Sequence, residues 1–545
     1  MIAQLVDLHQ RRIYPAELLL DGPRIARIRA LPEAPADCPY LMPGFVDAHV
    51  HVESSMLPPT EFARMALPHG TVATVSDPHE IANVLGVAGV QFMLDDAARS
   101  PLKFCFGAPS CVPATGFETA GATLDAAAVA RLLERPDIGY LSEMMNFPGV
   151  LHADAAVMDK IAAAQRLGKP VDGHAPGLRG ADARRYFAAG ISTDHECFTY
   201  AEAREKADLG VKILIREGSA ARNFEALWPL LRECPQQLMF CSDDKHPDDL
   251  LQGHINGLVA RALAKGCDLF DTLRAACLNP VQHYRLPVGL LREGDPADFV
   301  LVEDLLHFRV RETWIAGRRV AANGQALLPH MPVDTPNAFL AKPVRAADFQ
   351  PSAVPASEKV RVIEVLDGEI VTAAGEAVAR HSAAGALLPD PAQDLLLIAV
   401  LNRYQPDAKP AVGFVRGFCL QKGALASSVA HDSHNIVAVG CSAEALAQAV
   451  NAVIEAQGGV SATDAAGDTR CLALPIAGLM SPLPGALLAR DYADLDAWVK
   501  TALGCRLRAP FMSLSFLALP VIPALKMTDL GLFDVQKFDF VPLGI

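Results

Sequence analysis

Short apolar runs recur along the first half of the chain, each followed by a longer stretch of helical composition. The runs occupy residues 44–46, 72–75, 104–106, 138–141, 171–173, 191–193, 211–215 and 238–241. Intervening segments such as 154–167 and 201–209 carry residues that favour helix. Strand, helix, strand at this spacing predicts parallel pairing with crossover helices. Eight such units over about 240 residues match a (β/α)8 barrel, whose usual length is about 250. A doubly wound open sheet is the competing topology.

A different texture flanks this region. Residues 1–43 and 286–335 hold short strands, such as Asp298-Phe299-Val300-Leu301-Val302, separated by Gly, Asp and Pro turns. The two pieces are expected to pair as one small split β-sandwich around a barrel at 44–285. A Pro- and Ala-rich stretch at 336–357 reads as a linker. Residues 358–545 then form a separate α+β domain, with strands near 360–363 and 395–400. A helix is expected over 443–456, with Ser442 as N-cap and Gly458-Gly459 as its stop. The apolar stretch 510–525 is broken by Pro520 and Pro523, so it reads as buried core or a docking loop rather than a membrane span.

Composition narrows the class. A chain of 545 residues needs two or three domains, and 51% apolar residues supply their cores. A net charge of -14 argues against nucleic acid or an acidic membrane surface as partner. Small molecules and further copies of the chain, as a homo-oligomer, are the expected partners. The start lacks the pattern of a secretory signal, and the 12 cysteines form no C-x-x-C pair. Reduced thiols in a cytoplasmic protein fit best.

The chemistry sits at the ends of the apolar runs. His49 and His51 lie two apart on the first, so both rings can project to one side. Glu143 ends the fourth run, His174 the fifth, His195 the sixth and Asp243 the eighth. Six nitrogen and oxygen ligands thus gather at the C-terminal mouth, where barrel enzymes keep their sites. Charged groups there are costly unless paired or metal-bound. Six are more than one tetrahedral ion needs, so two divalent ions sharing a carboxylate are expected. No cysteine joins the set; Mn2+ and Fe2+ suit it, with Zn2+ as a further candidate. Asp244 is an alternative ligand to Asp243. Asp77 and His79 flank Pro78 at the end of the second run, either as a catalytic pair or as a capped turn. Glu53, Ser54, Ser55, Arg222 and Asn223 fall on loops expected to face the mouth.

Several segments together carry a resemblance. Pro43-Gly44-Phe45-Val46-Asp47-Ala48-His49-Val50-His51-Val52-Glu53-Ser54-Ser55-Met56 is similar to the amidohydrolase superfamily, and within it to the bacterial adenine deaminase family. Ser76-Asp77-Pro78-His79-Glu80, Ser142-Glu143-Met144-Met145-Asn146, Gly173-His174-Ala175-Pro176-Gly177, Asp243-Asp244-Lys245-His246-Pro247 and Ala430-His431-Asp432-Ser433-His434-Asn435 resemble that family too. The likeness runs over nearly the whole chain. It implies a barrel, a split sandwich and a family-specific C-terminal domain. It also implies hydrolysis of adenine to hypoxanthine and ammonia, with Glu143 bridging two ions in place of the carboxylated lysine of dihydroorotase-like relatives. Asp243 is then the general base, with His79 and Asp77 assisting. His431 and His434 are expected to close a loop over the purine, an ordinary turn being the alternative. Two other readings are a dinuclear cyclic amidohydrolase acting on a related ring and a non-catalytic metal-binding protein.

Overall fold

A computed structural model gives the protein's structure and describes every residue except 34, 36, 356–358, 379 and 384. The N-terminal strands are β1 (Ile2–Asp7), β2 (Arg12–Asp21), β3 (Arg24–Ala30) and β4 (Tyr40–Pro43). Eight parallel strands follow: β5 (Phe45–Val50), β6 (Thr71–Ser76), β7 (Lys103–Ala108), β8 (Ile138–Met144), β9 (Val171–Gly173), β10 (Thr193–Asp194), β11 (Lys212–Arg216) and β12 (Leu238–Cys241). They close into a barrel. Ser192 donates its N–H to Val171 across the β9–β10 seam at 2.9 Å, and Asp243 donates to His49 across the β12–β5 seam, also at 2.9 Å. All six residues of β5 and of β6 are buried. This is why the strands read as continuous apolar runs rather than alternating ones: side chains meet the barrel interior on one face and helices on the other.

The expected helices are present. Ala155–Arg166 begins after Asp154, whose carboxylate accepts the Val157 N–H. Tyr200–Asp208 is capped by Thr199. Both caps occupy donors that a helix N-terminus leaves unpaired.

The chain then returns to the N-terminal strands with β13 (Phe299–Val302), β14 (Val310–Ile315), β15 (Arg318–Ala322) and β16 (Gln325–Ala326). These strands and β1–β4 share one sheet of order β16-β15-β14-β13-β4-β1-β2-β3. The two flanking pieces thus pair as expected, in one continuous sheet that folds over itself. Residues 23–25 reach back to pair with 294–297 through Ile25 N–H to Asp295 and Ala297 N–H to Pro23, each 2.9 Å. The fold encloses a small core of Leu5, Leu18, Ile25, Leu41, Phe299 and Leu301.

The C-terminal region holds another eight-stranded sheet. Its strands run Thr372–Ala377, Val360–Val365, Ala411–Arg416, Leu396–Leu401, Ile436–Gly440, Ala424–Ser427, Gly459–Thr463 and Thr469–Ala473. Helix Ala443–Glu455 packs on it, capped by the Ser442 hydroxyl as its sequence predicts. The stretch read as a linker is pinned at several points: Leu340 and Ala341 donate to Arg403, and the Val344 N–H is held by Asn451 at 2.8 Å. Its last two residues, 356 and 357, lie outside the described residues.

This sheet is distinct from the barrel, but its domain shares a core with it. One continuous apolar cluster runs from Phe45 through the barrel to Leu543. At the junction, Gly485 donates its N–H to Glu61 at 2.9 Å. A Cβ on that glycine would meet Met65 at 2.7 Å, so only glycine lets the helix Gly485–Ala502 approach so closely. Among the described residues, no helix is long and apolar enough to cross a membrane.

Candidate metal centre

His49 and His51 are placed by β5 and by the strand next to it across the closure. Val50 pairs with Ser76 of β6 and, on its other side, bridges Asp243. Both imidazoles therefore project into the mouth, with their Nε2 atoms 3.1 Å apart. Asp243, just past β12, presents Oδ1 at 3.6 Å from His49 Nε2 and 3.4 Å from His51 Nε2.

Glu143 faces two ways. Its Oε1 lies 3.2 Å from His51 Nε2 and 4.0 Å from His49 Nε2. Its Oε2 lies 2.6 Å from His174 Nδ1 and 3.1 Å from His195 Nε2. One carboxylate thus stands between two clusters, His49–His51–Asp243 and His174–His195. All six residues are buried. The donor chemistry suits divalent cations: imidazole and carboxylate atoms converge, with groups such as Glu143–His174–His195 and His49–His195–Asp243 each lying within 4.8 Å. His174 Nε2 is buried without a partner, as is His49 Nδ1. No thiol takes part, so hard or borderline ions fit.

The supporting groups are as ordered as the cluster. Arg216, fully buried on β11, donates to Asp243 Oδ2 at 2.6 Å and forms a two-pronged ion pair with Glu196. Burial pushes the Asp243 carboxyl up, but the Arg216 charge and the His51 ring outweigh it and hold it well below the usual range. Behind β5, Asp47 accepts the Ser242 N–H at 3.0 Å and lies 2.8 Å from His254, an arrangement that braces β5 against β12. Asp77 accepts the His79 N–H at 3.1 Å, and the His79 ring then reaches Glu143 Oε1 at 3.6 Å.

The remaining expected contacts divide. Asn223 does not face the cavity: its amide donates to the carbonyls of His195 and Cys197, so it braces the chain behind His195. Arg222 lies away from the cluster, bonded to Gly218 and paired with Glu217 and Asp249. Both sit on a loop after β11 whose polar groups are consumed by its own turn and neighbours. Glu53 accepts the Ile81 N–H at 3.2 Å, and burial pushes its carboxyl up to about 7. Ser54 donates to Asp244 at 2.5 Å, while Ser55 bonds to the Val52 carbonyl.

The last domain reaches this mouth within the same chain. His431 Nδ1 and His434 Nε2 each meet one oxygen of Glu80, which follows His79. Asp432 lies between them, with Oδ1 3.7 Å from His79 Nε2. His431 stacks on Phe516 at 4.5 Å between ring centres. Together with Ile370 and Leu519, residues Glu80, His431, Asp432 and Phe516 roof a cavity whose floor is His51, Glu143, His174, His195 and Asp243. Glu80, Glu196, Arg216 and Phe516 were not singled out from the sequence. Arg216 carried a signal, since a charged residue ends the seventh apolar run just as the expected ligands end the first, fourth, fifth, sixth and eighth.

A closed parallel barrel with buried His and carboxylate side chains able to hold metal at its C-terminal mouth defines a metal-dependent hydrolase barrel. The amidohydrolase family model matches residues 40–320. The adenine deaminase C-terminal domain model matches residues 369–539. Over 99% of its length the chain is 57% identical to an adenine deaminase of Salinibacter ruber, covering 97% of that protein. It is 54% identical to one of Sulfurovum sp. and 50% identical to one of Methanosarcina mazei, covering 99% and 98% of those proteins. The chain belongs to the adenine deaminase family.

Proposed function

We propose that this protein hydrolyses adenine to hypoxanthine and ammonia. The observation that carries the reading is the two-sided Glu143 carboxylate, standing between the His49–His51–Asp243 and His174–His195 clusters in a chain of this family. These six residues would hold two divalent cations; imidazole and carboxylate donors suit Mn2+, Fe2+ and Zn2+ alike. When bound, such cations supply Lewis acidity that makes water a nucleophile at neutral pH.

The chain's own groups do the rest. Asp243 has one oxygen fixed by Arg216 and the other facing the cluster. In this reading it takes the proton of the attacking water and returns it to the departing amine, a general-base and then general-acid role. His79, oriented by Asp77, stands beside Glu143 to polarise the substrate. The roof formed by His431, Phe516, Ile370 and Leu519 excludes bulk water, which strengthens every charge interaction beneath it. Oxygen adds at C6, the exocyclic amine leaves as ammonia, and the purine ring is retained.

The test is ammonia release from adenine by protein reconstituted separately with Mn, Fe and Zn. Turnover with at least one metal supports the reading. Hydrolysis of a hydantoin or dihydropyrimidine ring, with no ammonia from adenine, would reassign the site to a cyclic amidohydrolase.

A further inference from the structure

The roof of the cavity contains a buried acceptor that nothing in the protein satisfies. Asp432 is 1% exposed, and its Oδ2 has no hydrogen-bond partner. Glu118, a buried neighbour outside the cavity lining, also has both oxygens unpartnered, but the other carboxylates of the roof and its rim are engaged. Both oxygens of Glu80 are taken by His431 and His434, Glu196 is taken by Arg216, and Asp244 accepts from Ser54. Of the fully buried carboxylate oxygens lining the cavity, Oδ2 of Asp432 alone, among the described residues, lacks a partner.

The loop carrying it is held by several contacts, so the unpaired oxygen is not a matter of slack. His431 and His434 clamp Glu80, the Tyr404 hydroxyl donates to the Ser433 carbonyl at 2.6 Å, and Asn435 donates to Thr119 at 2.8 Å. A buried acceptor held in one place without a donor is costly, and native structures keep such groups chiefly where water, an ion or a ligand supplies the missing partner.

The substrate's chemistry identifies that partner. Adenine has three N–H bonds, two on the exocyclic amine and one on the imidazole ring. The amine must lie at the metal cluster, since it is the leaving group. The imidazole N–H then remains for an acceptor on the other side of the cavity. Asp432 is so placed, beyond the His79 ring from Glu143: His79 Nε2 lies 3.7 Å from Asp432 and its Nδ1 lies 3.6 Å from Glu143.

We propose that Asp432 accepts the imidazole-ring N–H of the bound purine, and that this C-terminal residue selects the free base over N-substituted purines such as nucleosides. A nucleoside carries carbon in place of that hydrogen. It would leave the carboxylate unpaired and drive its sugar into the roof beside Phe516 and Leu519. The inference rests on the adenine-hydrolysing reading and assigns a recognition residue within it.

The experiment compares adenine with its isostere bearing oxygen in place of N9–H, which lacks the donor without adding bulk. Both are assayed by kcat/KM on the metal-loaded full-length enzyme. The wild type should favour adenine by about a hundredfold or more, as sites built around a substrate N–H do. Asp432→Ala should lose most of its activity on adenine and shrink that preference at least tenfold. Asp432→Asn, which keeps a carbonyl acceptor, should retain most of the preference. Wild-type preference below about threefold would overturn the proposal without any variant, as would an unchanged preference in Asp432→Ala. No ammonia from adenine in the wild type would instead remove the underlying reading.

Discussion

At the residue scale the site works by dividing each carboxylate between two duties. Asp243 gives one oxygen to Arg216 and turns the other toward His49 and His51. Its backbone lies in the left-handed region, at φ 54°, a conformation that Asp tolerates better than most residues. Replacing it with Asn preserves shape and most metal contact but removes the proton acceptor. Asp243→Asn is therefore expected to retain much of its metal and lose turnover by about a hundredfold or more; near-normal turnover would remove Asp243 from the mechanism. Glu143 divides its oxygens between the two histidine pairs. A neutral amide bridges two cations poorly, so Glu143→Gln should fall toward one ion per chain by elemental analysis. Two tightly held ions with full activity would mean that another group bridges.

At the scale of elements, the barrel strands were legible because parallel strands buried on both faces must be apolar throughout, and polar residues stand out at their ends. His49, His51, Glu143, His174, His195 and Asp243 share that position. The contribution of Glu80 was not legible, because it depends on His431 and His434, more than 350 residues away. The folded-over N-terminal sheet was not legible either, since strand texture carries no record of whether a sheet bends or stacks. One junction has a pH signature. His246 begins helix Pro247–Gln252 and lies 2.6 Å from the Tyr492 hydroxyl of helix Gly485–Ala502. Burial lowers its pKa to about 3. Below about pH 6.5 the unfolded chain binds a proton that the folded one refuses, so stability falls as pH drops from 6.5 toward 3. Melting temperature measured across this window should fall less steeply in His246→Gln than in the wild type. Parallel curves would show that His246 does not contribute.

At the scale of the molecule, the barrel and the C-terminal domain are joined by one apolar core and by the Glu80 clamp. They should unfold together. Calorimetry is expected to show a single endotherm, with fluorescence from Trp228 in the barrel and Trp498 in the last domain changing at the same temperature. Two well-separated transitions would mean that the shared core is energetically thin. Gly485→Val, which forces a side chain against Met65 and Leu57, should lower that temperature or split the transition. The clamp also bears on how the protein is made. Glu80 leaves the ribosome long before the histidines that will hold it, because 351 residues separate it from His431. Until the last third of the chain has been synthesised, a nascent barrel lacks its roof and the residue we assign to purine recognition. On this reading, catalytic competence arrives late in synthesis, and a prematurely terminated chain would lack both the roof and the other half of the shared core.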